Sequence, residues 1–281
     1  EASLREYGIP CKRKGGTSFF DAKEIKFLLD LLSLLVNPKD MMAFIHVFEY
    51  ARGVGSALSK EFFQCFLHFG EGNYMQGVLY PKVHDLPNLN PNKNVQLGLF
   101  DDDQEIGSAA RFKHMNLESA LYNHPLLKHA KLSNDGMDFF KEFYTLMKSV
   151  HSLEKPSDIL KNIIASKLYA GIIELLATQR GRLKTGEVDE EKKKQVKERI
   201  LRKAHLLLDL SRQYAELRRF VNDMLLCGNE LSEGEGVKQL TVHASKGLEF
   251  PEVYVIDLVD GRYTNRKMMS RIEEERRLFY V

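Results

Sequence analysis

The sequence is organised around residues 240–250, which read LTVHASKGLEF. Val237 to Val242, which overlaps the start of this stretch, has the alternating pattern of a strand. After it, Val253 to Leu258 forms a near-continuous apolar run, which is typical of a strand buried on both faces of a parallel sheet. Polar residues at the ends of such strands lie where open α/β sheets place ligand groups. The stretch therefore predicts an α/β part with a ligand site.

Several residues of 240–250 suit contact with a ligand. Thr241 and His243 alternate with apolar neighbours, so a strand would present both side chains on one face. Lys246 and Gly247 allow the backbone to approach a partner closely, and Glu249 can accept a hydrogen bond from a hydroxyl group. A plain strand–loop–strand connection explains each residue taken singly. It does not explain the whole string, which is too specific for an ordinary connection.

The middle of the chain has a helical pattern. Apolar residues recur at helical spacing from Ile25 to Val36, and similar patterns follow in residues 41–48, 56–70 and 115–178. A charge-rich helix with an excess of basic residues is predicted within 180–219. The fold class expected from the residues is therefore mostly α, with an α/β part near the C-terminal end.

Capping residues predict where three helices begin. Asp21 with Glu24 three residues later forms a capping-box pattern. Asn37 before Pro38 is a suitable cap for a second helix, because proline is favoured at the first helical position. Ser56 is placed to cap a third helix, which ends at a glycine.

Composition excludes several classes of protein. The 281 residues include 41 Lys and Arg against 39 Asp and Glu, a balance that excludes a histone-like polycation and an acidic tail protein. Three widely spaced cysteines predict neither a disulfide framework nor a zinc cluster. No apolar run is long enough for a membrane span, and no signal peptide is evident, so we expect a cytoplasmic location and no membrane partner.

The ends of the chain predict a portion of a longer protein. The first residue is Glu1 rather than Met, and the last nine residues, EEERRLFYV, stop at Val281 within a helical pattern that has no C-cap.

Four segments together resemble superfamily I DNA helicases of the UvrD, Rep and PcrA type. Residues 240–258 resemble motif V of that family, and residues 273–281 resemble the start of motif VI. Residues 15–30, GGTSFFDAKEIKFLLD, resemble a Gly-Gly, Phe-Phe and Glu-Ile-Lys stretch of the family. Arg52-Gly53-Val54-Gly55-Ser56 resembles the Arg-Gly-Ile-Gly element of subdomain 2B. The resemblance covers both ends of the chain, and the middle matches only as a helical insertion.

The resemblance implies a domain organisation. The family has two RecA-like motor domains with ATP between them, and its second motor domain, 2A, carries the helical subdomain 2B as an insertion. Residues 1–15 and 237–281 would then be two pieces of an incomplete 2A, and residues 16–236 would be the 2B insertion.

The resemblance also implies roles for single residues. Thr241, His243 and Lys246 would contact single-stranded DNA, where Lys246 could also serve the nucleotide, and Gly247 and Glu249 would contact the nucleotide. The duplex ahead of the fork would be held by one further set of residues, which is Arg52, Gly53, Val54, Gly55 and Ser56. Glycines before a helix N-terminus suit phosphate contact because they leave backbone N–H groups accessible.

Catalytic parts of such a motor are missing from the sequence. No G-x-x-x-x-G-K-[ST] phosphate loop occurs, no apolar strand ends in a magnesium-binding acidic pair, and the family's arginine finger would follow Val281. The chain departs from the family pattern at Thr264, where proline is usual. We expect ATP and Mg²⁺ to act in the parent protein together with the missing first motor domain, and no ATP hydrolysis by residues 1–281 alone.

The leading interpretation is the DNA-binding C-terminal portion of an ATP-dependent DNA helicase, with 3′ to 5′ translocation and a role in DNA repair or replication. One alternative is a fragment of a helicase–nuclease of the RecB or AddA type, which also carries a Gly-Leu-Glu-Phe motif. Another is a module that has lost its motor and binds DNA or a partner protein. A phosphate loop upstream of the chain would support the first interpretation.

Overall fold

The computed structural model describes residues 4, 7–9, 11–14, 19–88, 115–183, 185–229, 236–245, 247–256 and 258. The chain divides into two compact units. One, the helical unit, is Phe20–Gly228, and the other, the terminal unit, combines Glu1–Phe19 with Asn229–Val281. The described residues are mostly helical, as the sequence predicts.

Among its described residues, the helical unit consists of helices joined by turns and loops. In chain order they are α1 Lys23–Val36, α2 Met41–Phe48, α3 Ser56–Phe69, α4 Tyr74–Leu79, α5 Ser119–Tyr122, a 3-10 helix Pro125–Lys128, α6 Asn134–Val150, α7 Pro156–Ala165, α8 Lys167–Gly181, α9 Glu190–Ser211 and α10 Leu217–Asn229. The predicted charge-rich helix is thus shorter than 180–219, because a turn closed by a bridge between Arg182 and Val188 separates α8 from α9.

Aromatic side chains fill the core between α2, α3 and α6. The Phe44 ring stacks on Phe48 at a centroid distance of 4.2 Å and lies 5.1 Å from Phe63. Phe143 of α6 approaches Phe48 edge-on at 4.9 Å. Such pairs add to the apolar burial that stabilises the fold.

Two glycines let α3 and α4 approach closely. A Cβ atom at Gly77 would lie 1.8 Å from the carbonyl oxygen of Phe66, and one at Gly70 would lie 1.9 Å from that of Asn73. The buried His124 secures this contact, since its Nε2 lies 3.0 Å from the Gly77 carbonyl oxygen while its Nδ1 accepts from the Leu126 N–H. Burial lowers the pKa of His124 to about 4, so the ring is neutral and donates from Nε2.

The capping box predicted at Asp21 and Glu24 is wrong. The N-cap of α1 is Ala22, which provides no side-chain cap. The Glu24 carboxylate lies in the interior, where Arg180 of α8 donates at 2.6 Å and Lys203 of α9 donates at 2.9 Å. Burial opposes ionisation of Glu24, but these two hydrogen bonds outweigh it and hold the pKa at about 2. Glu24 therefore joins three helices instead of closing a helix end.

Two other predicted caps are displaced. Helix α2 begins after Asp40, whose Oδ1 accepts from the Ala43 N–H at 3.0 Å, and not after Asn37. Helix α3 begins after Gly55, so Ser56 is its first residue and not its cap. The predicted end of α3 is confirmed, because Gly70 is its C-cap.

The terminal unit contains a two-stranded parallel sheet. Strand β1, Cys11–Lys14, pairs with β2, Val237–Leu240, so that Cys11 lies opposite Val237. A short helix, α11, spans Val242–Ser245. The prediction of a buried strand from Val253 to Leu258 is wrong for the residues that the structure describes. Residues 253–256 have no regular structure, and Tyr254 and Ile256 are 80% and 83% exposed. A strand of that kind is buried only between strands and helices that cover both of its faces.

Candidate nucleic-acid interface

A tight turn precedes α3 at residues 52–55. Gly53 has φ +81°, a left-handed conformation that other residues adopt at a cost. The turn is closed by the Val54 N–H, which donates to the Ala51 carbonyl at 3.0 Å, and the Val54 side chain is buried. Arg52 is directed to solvent, with 89% of its side chain exposed. The valine thus anchors the turn and the arginine is left accessible.

The N-terminus of α3 is open to solvent. Gly55 is its N-cap, and no side chain among the residues that the structure describes caps the first turn. A Cβ atom at Gly55 would lie more than 4 Å from every other described residue except its chain neighbours. The Ser59 hydroxyl donates to the Gly55 carbonyl at 3.0 Å, so it bonds within the helix. Such a terminus attracts anions, because its N–H groups and the helix dipole both favour negative charge.

The N-terminus of α6 lies beside this turn. A Cβ atom at Gly53 would be 3.7 Å from the Ser133 hydroxyl, and one at Gly136 would be 3.5 Å from a γ-methyl of Val54. Ser133 caps α6 by accepting from the Gly136 N–H at 3.1 Å. The structure therefore brings two helix N-termini together, although about eighty residues of sequence separate them.

A carboxylate on α3 holds the segment that leads into α6. Both oxygens of Glu61 accept from the Lys131 ammonium, at 2.7 and 2.9 Å. Glu61 also lies 3.6 Å from the His129 ring, which packs edge-on against Phe62. Burial lowers the pKa of His129, while Glu61 opposes that shift. These contacts fix the approach of α6 to α3.

The predicted motif V, residues 240–258, begins at the end of β2 and includes helix α11. Thr241 is exposed and lies between these elements, and its carbonyl accepts from the Ser245 N–H at 3.0 Å. Gly247 has φ +76° and open space where a Cβ atom would stand. Leu248 and Glu249 are exposed, whereas Phe250 lies 5.4 Å under the Lys238 ammonium. The glycine turn leaves the segment from 247 to 249 accessible to a partner.

Thr241 and His243 do not lie on one face of a strand, contrary to the prediction. The strand ends at Leu240, two residues earlier than predicted, and residue 243 lies in α11. Residues two positions apart point to the same face of a strand but not of a helix. The His243 side chain and all of Lys246 lie outside the described residues, so their roles stay predictions, as do those of Thr241, Gly247 and Glu249.

Sequence reasoning missed a groove in the helical unit. It has a volume of about 370 Å³ and lies between α1, the end of α2 and α8. Asp30 and His46 face each other in it, with 3.4 Å between Oδ2 and Nδ1. Burial raises the pKa of Asp30 to about 6, although His46 and Lys26 favour the ionised form. No local signal predicts this pair, because Asp30 reads as an ordinary polar position of α1.

Comparison with known families is decisive for the classification. A family model for the UvrD-like helicase C-terminal domain matches residues 1–281. The chain belongs to this family. Its relatives include the ATP-dependent DNA helicase Rep of Escherichia coli K12, which is 27% identical over 293 residues, and the ATP-dependent DNA helicase PcrA of Bacillus subtilis 168, which is 24% identical over 286 residues. Both matches cover the whole chain.

The chain spans about a third of the length of these curated relatives, 36% of Rep and 32% of PcrA. Within the residues that the structure describes, no helix is long and apolar enough to cross a membrane. In the same residues, no group of three or more His, Cys, Asp or Glu side chains is placed to hold a metal ion.

Proposed function

We propose that this chain is the DNA-contacting C-terminal portion of an ATP-dependent DNA helicase that unwinds duplex DNA with 3′ to 5′ polarity, in the cytoplasm and in DNA repair or replication. Membership of the UvrD-like C-terminal family and the Rep and PcrA relatives support it. They also favour this proposal over a helicase–nuclease. The helical unit would be subdomain 2B, and the terminal unit would be part of motor domain 2A.

The observation that carries the DNA contact is the open N-terminus of α3 beside Arg52. An exposed guanidinium and backbone N–H groups that no described side chain caps at a helix start are donors of the kind that bind phosphate without reading sequence. Arg52, Gly53, Val54, Gly55 and Ser56 would therefore contact the duplex backbone. Val54 would do so indirectly, because its side chain is buried and holds the turn in place.

The second contact surface would be motif V. Thr241, His243 and Lys246 would bind single-stranded DNA, and Gly247 and Glu249 would bind the nucleotide. The exposure of Thr241 and Glu249 and the left-handed turn at Gly247 are compatible with these roles. Hydroxyl, imidazole and ammonium groups bind phosphate oxygens, while a carboxylate accepts from a ribose hydroxyl.

ATP hydrolysis would belong to the parent protein. Phosphoryl transfer needs a phosphate loop, a Mg²⁺ site and an arginine finger together, and the sequence of residues 1–281 has no phosphate-loop motif. The first motor domain would supply the phosphate loop, so residues 1–281 alone would show no DNA-stimulated ATPase.

Duplex binding by the 281-residue chain tests the proposal. The anisotropy of a fluorescein-labelled 20-base-pair duplex would be measured for Arg52→Met, with Arg199→Met, an exposed arginine of α9, as the matched control. We expect Arg52→Met to weaken binding about threefold to tenfold in low salt and to reduce the salt slope by about one. Equal effects of the two substitutions would refute a duplex contact at Arg52.

Gly55→Ala tests the helix terminus separately from charge. A Cβ atom at Gly55 would have no described atom within 4 Å, and its φ of −93° suits alanine, so the fold should be retained. The methyl group would stand where a phosphate approaches, and binding should weaken by about threefold if backbone N–H groups make the contact. Unchanged affinity with an unchanged melting temperature would exclude that contact.

A further inference from the structure

Arg52 has a charged neighbour that the sequence pattern does not indicate. Its Nε lies 3.8 Å from Oδ2 of Asp135, and the two side chains are 89% and 57% exposed. Asp135 belongs to the first turn of α6, the helix whose N-terminus lies beside the Gly53 turn. The exposed guanidinium of the candidate interface is thus paired with a carboxylate.

The Arg52–Asp135 pair is suited to the exchange of its carboxylate for another anion. Ion pairs between exposed side chains contribute little to stability, because water and salt screen them. A carboxylate in the first turn of a helix is attracted by the helix dipole. The carboxylate of Asp135 therefore occupies a place at which any other anion, including a phosphate, would be held by the same dipole and by Arg52.

We propose that Asp135 competes with duplex phosphate for Arg52, so that the chain holds the duplex weakly and releases it readily. The proposal rests on the proposed function, since it assigns a competitor to the same contact. In the free chain Asp135 pairs with Arg52, and on binding the guanidinium exchanges the carboxylate for a phosphate oxygen. Asp135 is then a residue that lowers duplex affinity, in a site otherwise built to attract anions.

A purely structural role for Asp135 makes a different prediction. Acidic residues in the first helical turn stabilise a helix, and Asp135→Asn would then lower the melting temperature slightly and leave the dependence on Arg52 unchanged. Asp138 is a matched control, because it is also exposed on α6 and lies one turn further along. Both substitutions remove one negative charge at a similar place on the surface.

The experiment is a double-mutant cycle on the 281-residue chain, with duplex affinity read by anisotropy in low salt. Asp135→Asn should tighten binding by about fourfold, and Asp138→Asn by less than about 1.5-fold, since release of Arg52 adds to the general loss of repulsion. In an Arg52→Met background, the gain from Asp135→Asn should fall to that of Asp138→Asn.

The two proposals fail in different ways. Equal gains from Asp135→Asn with and without Arg52 would overturn the competition while leaving Arg52 as a duplex contact. Arg52→Met without effect in both the parent and the Asp135→Asn chains would overturn the duplex contact itself. A raised melting temperature is not expected from either variant, and thermal unfolding of each would verify that affinity changes do not reflect altered folding.

Discussion

The helical unit and residues 253–258 are both rich in apolar side chains, but they differ in how far those side chains are buried. Phe44 in α2 is fully buried, whereas Ile256 is 83% exposed. The apolar face of an amphipathic helix is buried by neighbouring helices of the same unit. An apolar run suited to a parallel strand is buried only where other strands flank it and helices cover both faces of the sheet. Similar hydrophobicity therefore does not imply similar burial.

Truncating Phe44 should have the largest effect on stability. Phe44→Ala removes the ring that contacts Phe48 and Phe63, and it leaves a cavity at the centre of the helical unit. We expect a loss of about 3–5 kcal/mol in the free energy of unfolding. Urea unfolding followed by helical circular dichroism measures it. A loss below about 1 kcal/mol would show that the core adjusts freely, contrary to close packing.

Neutralising Glu24 should have the next largest effect. Glu24→Gln leaves Arg180 and Lys203 without their carboxylate, and we expect a loss of about 3 kcal/mol at pH 7. Because the pKa of Glu24 is held at about 2, its contribution is complete above the unfolded pKa near 4.5 and is lost as pH falls towards 2. The stability of the variant should therefore be flatter with pH in that interval than that of the parent chain. Parallel curves would contradict the buried network.

Removing the Asp30 charge should have a smaller effect of opposite sign. The pKa of Asp30 is raised to about 6, so its ionisation destabilises the fold as pH rises from about 4 to 6. Asp30→Asn should stabilise the chain by about 2 kcal/mol at pH 7 and change little at pH 3.5. Of the titratable groups near Asp30, His46 and Lys26 favour its ionised form and Asp40 opposes it. Stabilisation at both pH values would instead indicate a packing effect.

Truncating Ile256 should have the smallest effect. The side chain is largely exposed, so Ile256→Ala should change the free energy of unfolding by less than about 0.5 kcal/mol. The same urea experiment measures it. A loss comparable with that of Phe44→Ala would mean that residues 253–258 are packed in solution, and the contrast between the two regions would disappear.

Helix positions were accessible from the sequence because they follow from local spacing. The apolar pattern from Ile25 to Val36 matches α1, and the glycine that ends α3 was read correctly. Cap assignments failed at Glu24, Asn37 and Ser56. Which of several nearby polar residues caps a helix depends on the tertiary structure. Glu24 does not act as a capping residue, because its carboxylate is buried and pairs with residues more than 150 positions away.

The turn of the candidate interface could be predicted from the sequence, but its surroundings could not. The turn at 52–56 was recognised from its glycines, since few residues adopt the φ of Gly53. No local signal in the sequence indicates the contacts around this turn. They are the neighbouring Ser133, the Glu61–Lys131 ion pair and the ion pair of Arg52 with Asp135. All three depend on the packing of α6 against α3, which brings distant segments together.

The sequence by itself determined the family and the helical character, because both are encoded in short strings and local periodicity. Only the tertiary structure decided which charges are buried, which helix starts face solvent together, and which apolar residues are covered. Those properties arise from contacts between segments far apart in the chain, and the free energy of burying a group depends on the neighbours that the fold provides.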